Sequence, residues 1–381
     1  MITILVAGLW PFHAPSNNVE WLGHEDGLQF GYHGSVVSAA AFNPSRDASG
    51  SLEIWIEPSP APHRHTILAF EGTEANKIPF RLQQDGSRLI VQRHNVDGEG
   101  VNRIGEFAIE GALPRGKRVF VTVTLGPQET SVYLNGALAR TAASMGTSTA
   151  NFTGRLVLGN APSVSDSWPG KVLSLAIFEN QLTPSLVAEH FESWEKNHPS
   201  PALTAEQPAA LYLFNEHAGR TIHNQAGAPD LAIPVHYFVL QPEFLTLPWR
   251  YFHSTWSYWG DVAVNIAGFI PFGFFVCAYM SSVRPTLRSA AITIVLGFLA
   301  SLTIEVSQAF LPTRDSGVND LITNTLGTSI GVLLYRSDRL QDMVSRLSSW
   351  VVSGWASPRS IGASKIETIE RDEEIAVGSR T

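Results

Sequence analysis

Residues Ile304–Gly331 read IEVSQAFLPTRDSGVNDLITNTLGTSIG, an apolar stretch interrupted at regular intervals by polar and small residues. Glu305 and Gln308 are three apart, and Asp320, Asn324, Gly327 and Gly331 follow at steps of four, three and four. Such steps place each set on one face of a helix. Upstream, Gly297 and Ser301 extend the Glu305 stripe at steps of four, and Asp261, Asn265 and Gly268 repeat the pattern at four and three. Three apolar segments therefore carry the same kind of stripe: Tyr258–Met280, Ser289–Leu311 and Leu321–Tyr335. The first two meet the roughly 20 residues that a bilayer-spanning helix needs. The third, at about 15 residues or roughly 23 Å, needs Asn319-Asp320 to complete it.

In a bundle of such helices, Gly268, Gly273, Gly297, Gly327 and Gly331 are expected at packing faces, where small residues let backbones approach. The polar members Asp261, Asn265, Glu305, Gln308, Asp320 and Asn324 are then expected to face the bundle interior, because ionisable groups facing lipid are costly. A chain crossing three times puts all six on one side of the membrane. Arg314, in the loop between the last two spans, joins them and is the evident cation for Glu305. Arg284, Arg288, Arg336, Arg339 and Arg346 flank the opposite side, which the positive-inside rule makes cytoplasmic. The cluster, and whatever precedes Tyr258, is expected to be extracytoplasmic. The cluster reads either as a ligand-binding site or as a set of interhelical hydrogen bonds, and no catalytic residue is assigned.

At 381 residues the chain has room for about two domains. Its formal charge of −8 argues against a general phosphate-binding surface, so no nucleic acid is expected. Cys277 is the sole cysteine, which rules out an intrachain disulfide and a cysteine-rich metal site. No cofactor and no metal site are expected.

The stretch 1–12 (MITILVAGLWPF) is apolar but spans only about 18 Å as a helix. It reads as a partial or truncated transmembrane helix, with an embedded strand or core helix as the alternative. At the other end, 338–355 has apolar residues at helical intervals and reads as an amphipathic interfacial helix. Residues 357–381 read as a disordered polar tail.

Between these, 18–245 has a period of two. Ser51–Glu57 (SLEIWIE) alternates Leu52, Ile54 and Ile56 against Glu53, Trp55 and Glu57. Arg88–Arg93 and Arg118–Leu125 are rich in β-branched residues, and Ser131–Leu134 runs into Asn135-Gly136, a strong hairpin signal. Leu156–Leu158 and Val172–Phe178 continue the series. Many short strands at such spacing predict an antiparallel β-sandwich. One helix is expected after Thr183-Pro184, an N-cap followed by an N1 proline.

The succession SLEIWIEP, VFVTVTL…SVYLNGALA, GRLVLGN and WPGKVLSLAIFENQLTPSLVAEHF resembles a laminin-G-like, concanavalin A-like jelly roll. The resemblance implies a glycan- or protein-binding module, with enzymes among its relatives. Related glucanases carry Glu-x-Asp-x-(x)-Glu on one strand; here Trp55 stands between Glu53 and Glu57, so the pair is expected to be a solvated strand face. Of the histidines, only His63-x-His65 approaches metal-ligand spacing, and it sits in a Pro-rich loop.

Over 258–335, Asn265, Pro271, Phe272, Gly273, Glu305, Gln308, Arg314, Asp320, Asn324 and Gly327 follow a pattern that resembles the VanZ-like family. That family takes its name from a protein linked to low-level resistance to teicoplanin, a glycopeptide directed at cell-wall precursors. The resemblance implies a multi-pass cell-membrane protein, and the distribution of arginines makes its sandwich extracytoplasmic. Its expected partners are the lipid bilayer and a cell-wall glycan, glycopeptide or lipid-linked precursor. Two alternatives are a membrane enzyme using Glu305 as acid/base and Asp320 as second carboxylate or metal ligand, and a membrane-anchored adhesion module.

Overall fold

The computed structural model describes residues 9, 12–43, 49–72, 78–96, 102–126, 129–142, 152–163, 165–196, 207–242, 244–247, 256–283, 287–314 and 316–337. The readings placed on 1–12 (Leu9 and Phe12 apart), on 338–355 and on 357–381 lie outside the described residues.

Two antiparallel sheets make the amino-terminal part a sandwich. The first runs β1 (Val19–Trp21), β2 (Leu28–Phe30), β13 (Lys171–Phe178), β4 (Gly50–Glu57), β9 (Val119–Leu125), β10 (Thr130–Leu134) and β11 (Ala137–Ala142); β14 (Ala210–Tyr212) also pairs with β13. The second runs β15 (Thr221–Ile222), β16 (Leu231–Ala232), β3 (Val36–Ser38), β12 (Arg155–Leu158), β5 (Arg64–Glu71), β6 (Phe80–Asp85), β7 (Arg88–Val96) and β8 (Asn102–Ile109). The alternation read in the sequence explains the layering. Leu52, Ile54 and Ile56 of β4 and Val119, Val121 and Val123 of β9 meet Leu68, Phe70 and Leu82 of the second sheet in one buried core. Asn135 and Gly136 join β10 to β11 with φ of 49° and 77°, the left-handed pair that a two-residue hairpin turn needs.

The opposite face of the first sheet is covered as well. Helix α1 (Pro184–Lys196) starts where the N-cap was expected, with Thr183 Oγ1 accepting from Leu186 N at 3.3 Å. Val187 and Trp194 pack with Trp55, Phe120 and Phe178 in a second apolar cluster. Phe191 stacks on Trp55 at 6.1 Å between ring centroids. This corrects the expectation of a solvated strand face. Glu53 is 1% exposed, because α1 lies over it.

Three further helices follow: α2 (Trp256–Val283), α3 (Leu287–Gln308) and α4 (Val318–Arg336). The second was expected to reach Leu311 but ends at Gln308, with Leu311 N donating to the Gln308 carbonyl at 2.8 Å in a following turn. Pro312 disfavours helical geometry at Leu311, just before it, and the chain leaves the helix one short turn earlier. Stretches Tyr258–Val283 and Arg288–Gln308 are long and apolar enough to cross a membrane. Large apolar side chains stand exposed along them, among them Val264, Phe275, Tyr279, Val295 and Leu299. An apolar outer face of this kind fits lipid contact better than water.

Candidate functional site

With α3 ending at Gln308, Glu305 lies in the last helical turn, about 4.5 Å from the helix end. It is 1% exposed, and its Oε2 accepts from Gly317 N at 2.8 Å. The carboxylate thus ties the loop after α3 back to the helix it left. That loop is fastened a second time. Thr246 N donates to Ser316 O at 3.0 Å, Val318 N donates to Thr246 O at 3.0 Å, and Thr246 Oγ1 donates to Ser316 O at 3.2 Å. Thr246 and Gly317 form a parallel bridge. Gln308 is buried and Arg314 exposed, while Asp315 lies outside the described residues.

In α2 and α4 the stripe residues are placed unequally. Asp261 is exposed, and Asn265 and Asp320 are half-buried. Asn324 is buried, and its Nδ2 donates to Ser301 Oγ of α3 at 3.0 Å. Its Oδ1 finds no hydrogen-bond partner among the described residues. The glycines divide sharply. A Cβ on Gly327 would strike the Ile266 carbonyl, one on Gly331 the Ile270 carbonyl, one on Gly273 the Thr328 carbonyl, and one on Gly297 the Thr328 side chain. Gly268 differs from its expected packing role: nothing lies within 4 Å of a Cβ there, and the residue is exposed. The buried hydroxyls satisfy their own helices, with Thr328 Oγ1 donating to Asn324 O at 3.0 Å and Thr293 Oγ1 to Ser289 O at 2.8 Å.

One polar pair was missed in the sequence. His190 Nδ1 of α1 lies 3.1 Å from Glu53 Oε1, with both side chains fully buried, and Thr122 Oγ1 donates to the same oxygen at 3.4 Å. Burial pushes the Glu53 carboxyl up, and the His190 hydrogen bond opposes that rise. The signal available was His190 at an apolar helical position, three after Val187. Sealed beneath α1, the pair cannot reach a ligand, so its chemistry is structural. Glu57, four residues along, emerges at the end of β4 and accepts from Lys171 Nζ at 2.9 Å. The Lys171 ammonium holds its carboxyl below the usual range. His65 faces Asp166 at 3.4 Å. Among the described residues, no group of three His, Cys, Asp or Glu could hold a metal ion.

Family models match two regions. Residues 30–188 match the concanavalin A-like lectin/glucanases superfamily, and residues 209–341 match VanZ/LLP1. The second match begins within the sandwich strands, at β14, well before α2. No curated protein matches the chain. Among solved structures, the receptor binding domain of botulinum neurotoxin D is 14% identical, over 47% of this chain and 47% of its own, with a TM-score of 0.36. The corresponding domain of the C/D mosaic serotype is 15% identical, over 46% and 45%, with a TM-score of 0.35. A Bacteroides ovatus protein provisionally described as carbohydrate binding is 15% identical, over 55% and 58%, with a TM-score of 0.39. The chain spans about half the length of these structures. Residues 30–188 carry a concanavalin A-like domain and residues 209–341 a VanZ/LLP1 domain, in the order that the motifs implied.

Proposed function

We propose that this protein is a multi-pass cell-envelope protein whose extracytoplasmic sandwich binds a surface glycan, while its VanZ module binds a lipid-linked or glycopeptide ligand at the outer membrane interface. One observation carries the reading. The segment leaving the sandwich, at Thr246, is hydrogen-bonded to the loop that also holds Glu305. That supports a single side for the sandwich exit and the polar end of α3. The exposed apolar faces of α2 and α3 support crossing, and α4, at about 29 Å of helix, has the length for a third span. Arg288 and Arg336, at the ends remote from Glu305, support a cytoplasmic location for those ends.

Reporter fusions after Leu245, Arg284, Arg314 and Arg339 test the topology. The expected result is an extracytoplasmic signal after Leu245 and Arg314 and a cytoplasmic one after Arg284 and Arg339. Fusions at Leu245 and Arg314 reporting opposite sides would end the proposal. A strain carrying Glu305→Gln or Arg314→Ala is expected to lose teicoplanin tolerance while the protein inserts normally; full tolerance would remove the glycopeptide part.

A further inference from the structure

The first sheet of the sandwich carries a cleft of about 180 Å³ that neither Glu53 nor His190 lines. We propose that it binds one uncharged sugar residue, an inference that rests on the glycan-binding reading above. The cleft lies between the Leu22–Gly27 turn, the start of β9, an irregularity in β13 and the carboxyl end of α1. Its floor is mainly apolar, from Leu173, Leu213 and the nearly buried Trp194 with Ser174 beside them, and its rim is charged, from Glu25, Asp26 and Arg118.

The walls are built and held. The β13 register shifts between Val172 and Ser174, which takes Leu173 out of the ladder with β4. The turn closes over it through Gly27, whose φ is 137° and where a Cβ would come within 2.9 Å of the Leu173 and Leu22 side chains. Gly27 N donates to Phe214 O at 2.9 Å, which pins the turn to the segment after β14. That segment holds two left-handed residues, Phe214 and His217, with φ of 51° and 56°. Left-handed backbone at non-glycine residues persists only where the surroundings enforce it, and such places gather at binding sites.

Charge balance selects the ligand. Arg118 pairs with Glu25 and, at 3.5 Å, with Glu57; Glu57 pairs with Lys171, and Asp26 with His217 at 3.0 Å. An anion entering the cleft meets Glu25 and Asp26, and a cation meets Arg118. A hydroxyl is both donor and acceptor, whereas a carboxylate only accepts and a guanidinium only donates. Neighbouring hydroxyls on one ring can therefore engage Asp26 or Glu25 and Arg118 together, while the ring's C–H face covers Leu173 and Leu213. The mutual pairs already fix the side chains, which lowers the ordering cost of binding.

Calorimetric titration of the full chain in lipid nanodiscs tests this. The probes are glucose, galactose and N-acetylglucosamine as neutral sugars, with glucuronate and glucosamine as the anionic and cationic forms. At least one neutral sugar is expected to bind, with both charged forms weaker. Arg118→Ala and Asp26→Asn are each expected to weaken that sugar about tenfold at unchanged melting temperature. Asp26 lies on an exposed turn, so its variant keeps the test valid if Arg118→Ala unfolds. A sugar bound equally well by the wild type and by folded Asp26→Asn overturns the cleft but leaves glycan binding standing. Preference for a charged sugar overturns the ligand class. Absence of binding by every probe overturns both readings.

Discussion

Glu53 and His190 meet carboxylate to imidazole at 3.1 Å across the contact between β4 and α1, with neither side chain exposed to solvent. Removing one partner of such a pair leaves the other buried without compensation, at a cost of about 3–5 kcal/mol. Glu53→Ala is expected to destabilise the protein by that order in chemical denaturation. Glu53→Gln keeps an acceptor for His190 and Thr122 and is expected to cost less.

Glu71, at the end of β5, sits in a different environment. Burial pushes its carboxyl from 4.5 up to about 7, against the opposing pull of Arg155. A carboxyl raised on folding contributes stability that is complete below pH 4.5 and is lost as pH rises through about 7. Glu71→Gln is therefore expected to match the wild type near pH 4 and to exceed it above pH 7, by at most about 3 kcal/mol. Denaturant titrations of both proteins across that range read the difference directly.

The glycines of the helical module separate into two behaviours. Gly327→Val and Gly331→Val would each drive a side chain into an α2 carbonyl, and close-packed helices have no space to absorb it. Both are expected to lower the yield of monodisperse protein in detergent, as seen by size-exclusion chromatography. Gly268→Ala, at a position open on all sides, is expected to elute as the wild type does.

Glu305 holds Gly317 N through an oxygen that glutamine also possesses. Hydrogen exchange at the Gly317 amide is thus expected to stay near wild type in Glu305→Gln. In Glu305→Ala it should accelerate about tenfold, the loss of one charge-assisted hydrogen bond. Equal exchange in both variants would show that the loop depends on Thr246 alone.

At Gly136 the hairpin and α1 meet. The residue has φ of 77°, and a Cβ there would approach Phe191 to 3.1 Å. Gly136→Ala is expected to cost roughly 1 kcal/mol in thermal denaturation.

The sandwich was legible because period-two alternation and turn chemistry are local. Leu52, Ile54 and Ile56 announced an inward face without any knowledge of their neighbours, and Asn135-Gly136 announced the turn. What covers the other face was not local. Glu53 and His190 lie far apart in sequence, so the burial of Glu53 could be read only once α1 was seen on the sheet. The cleft was illegible for the same reason, since its rim and floor come from five separate segments. In the helical module the spacing of glycines pointed to packing, but periodicity could not separate Gly268 from Gly327, because a helical face does not say what lies opposite it. Pro312 marked a stop after Leu311, but nothing in the apolar Ala309–Leu311 showed that these residues form a turn outside α3.

The glycine contacts between α2 and α4 carry a consequence for access. At Gly327 and Gly331 the α4 backbone lies directly against the α2 carbonyls of Ile266 and Ile270, with no side chain between them to swing aside. No rotamer change opens that seam; only separating the helices would. An acyl tail or polyprenyl chain therefore has no doorway between α2 and α4 at that depth, and any lipid-borne substrate has to arrive by another flank.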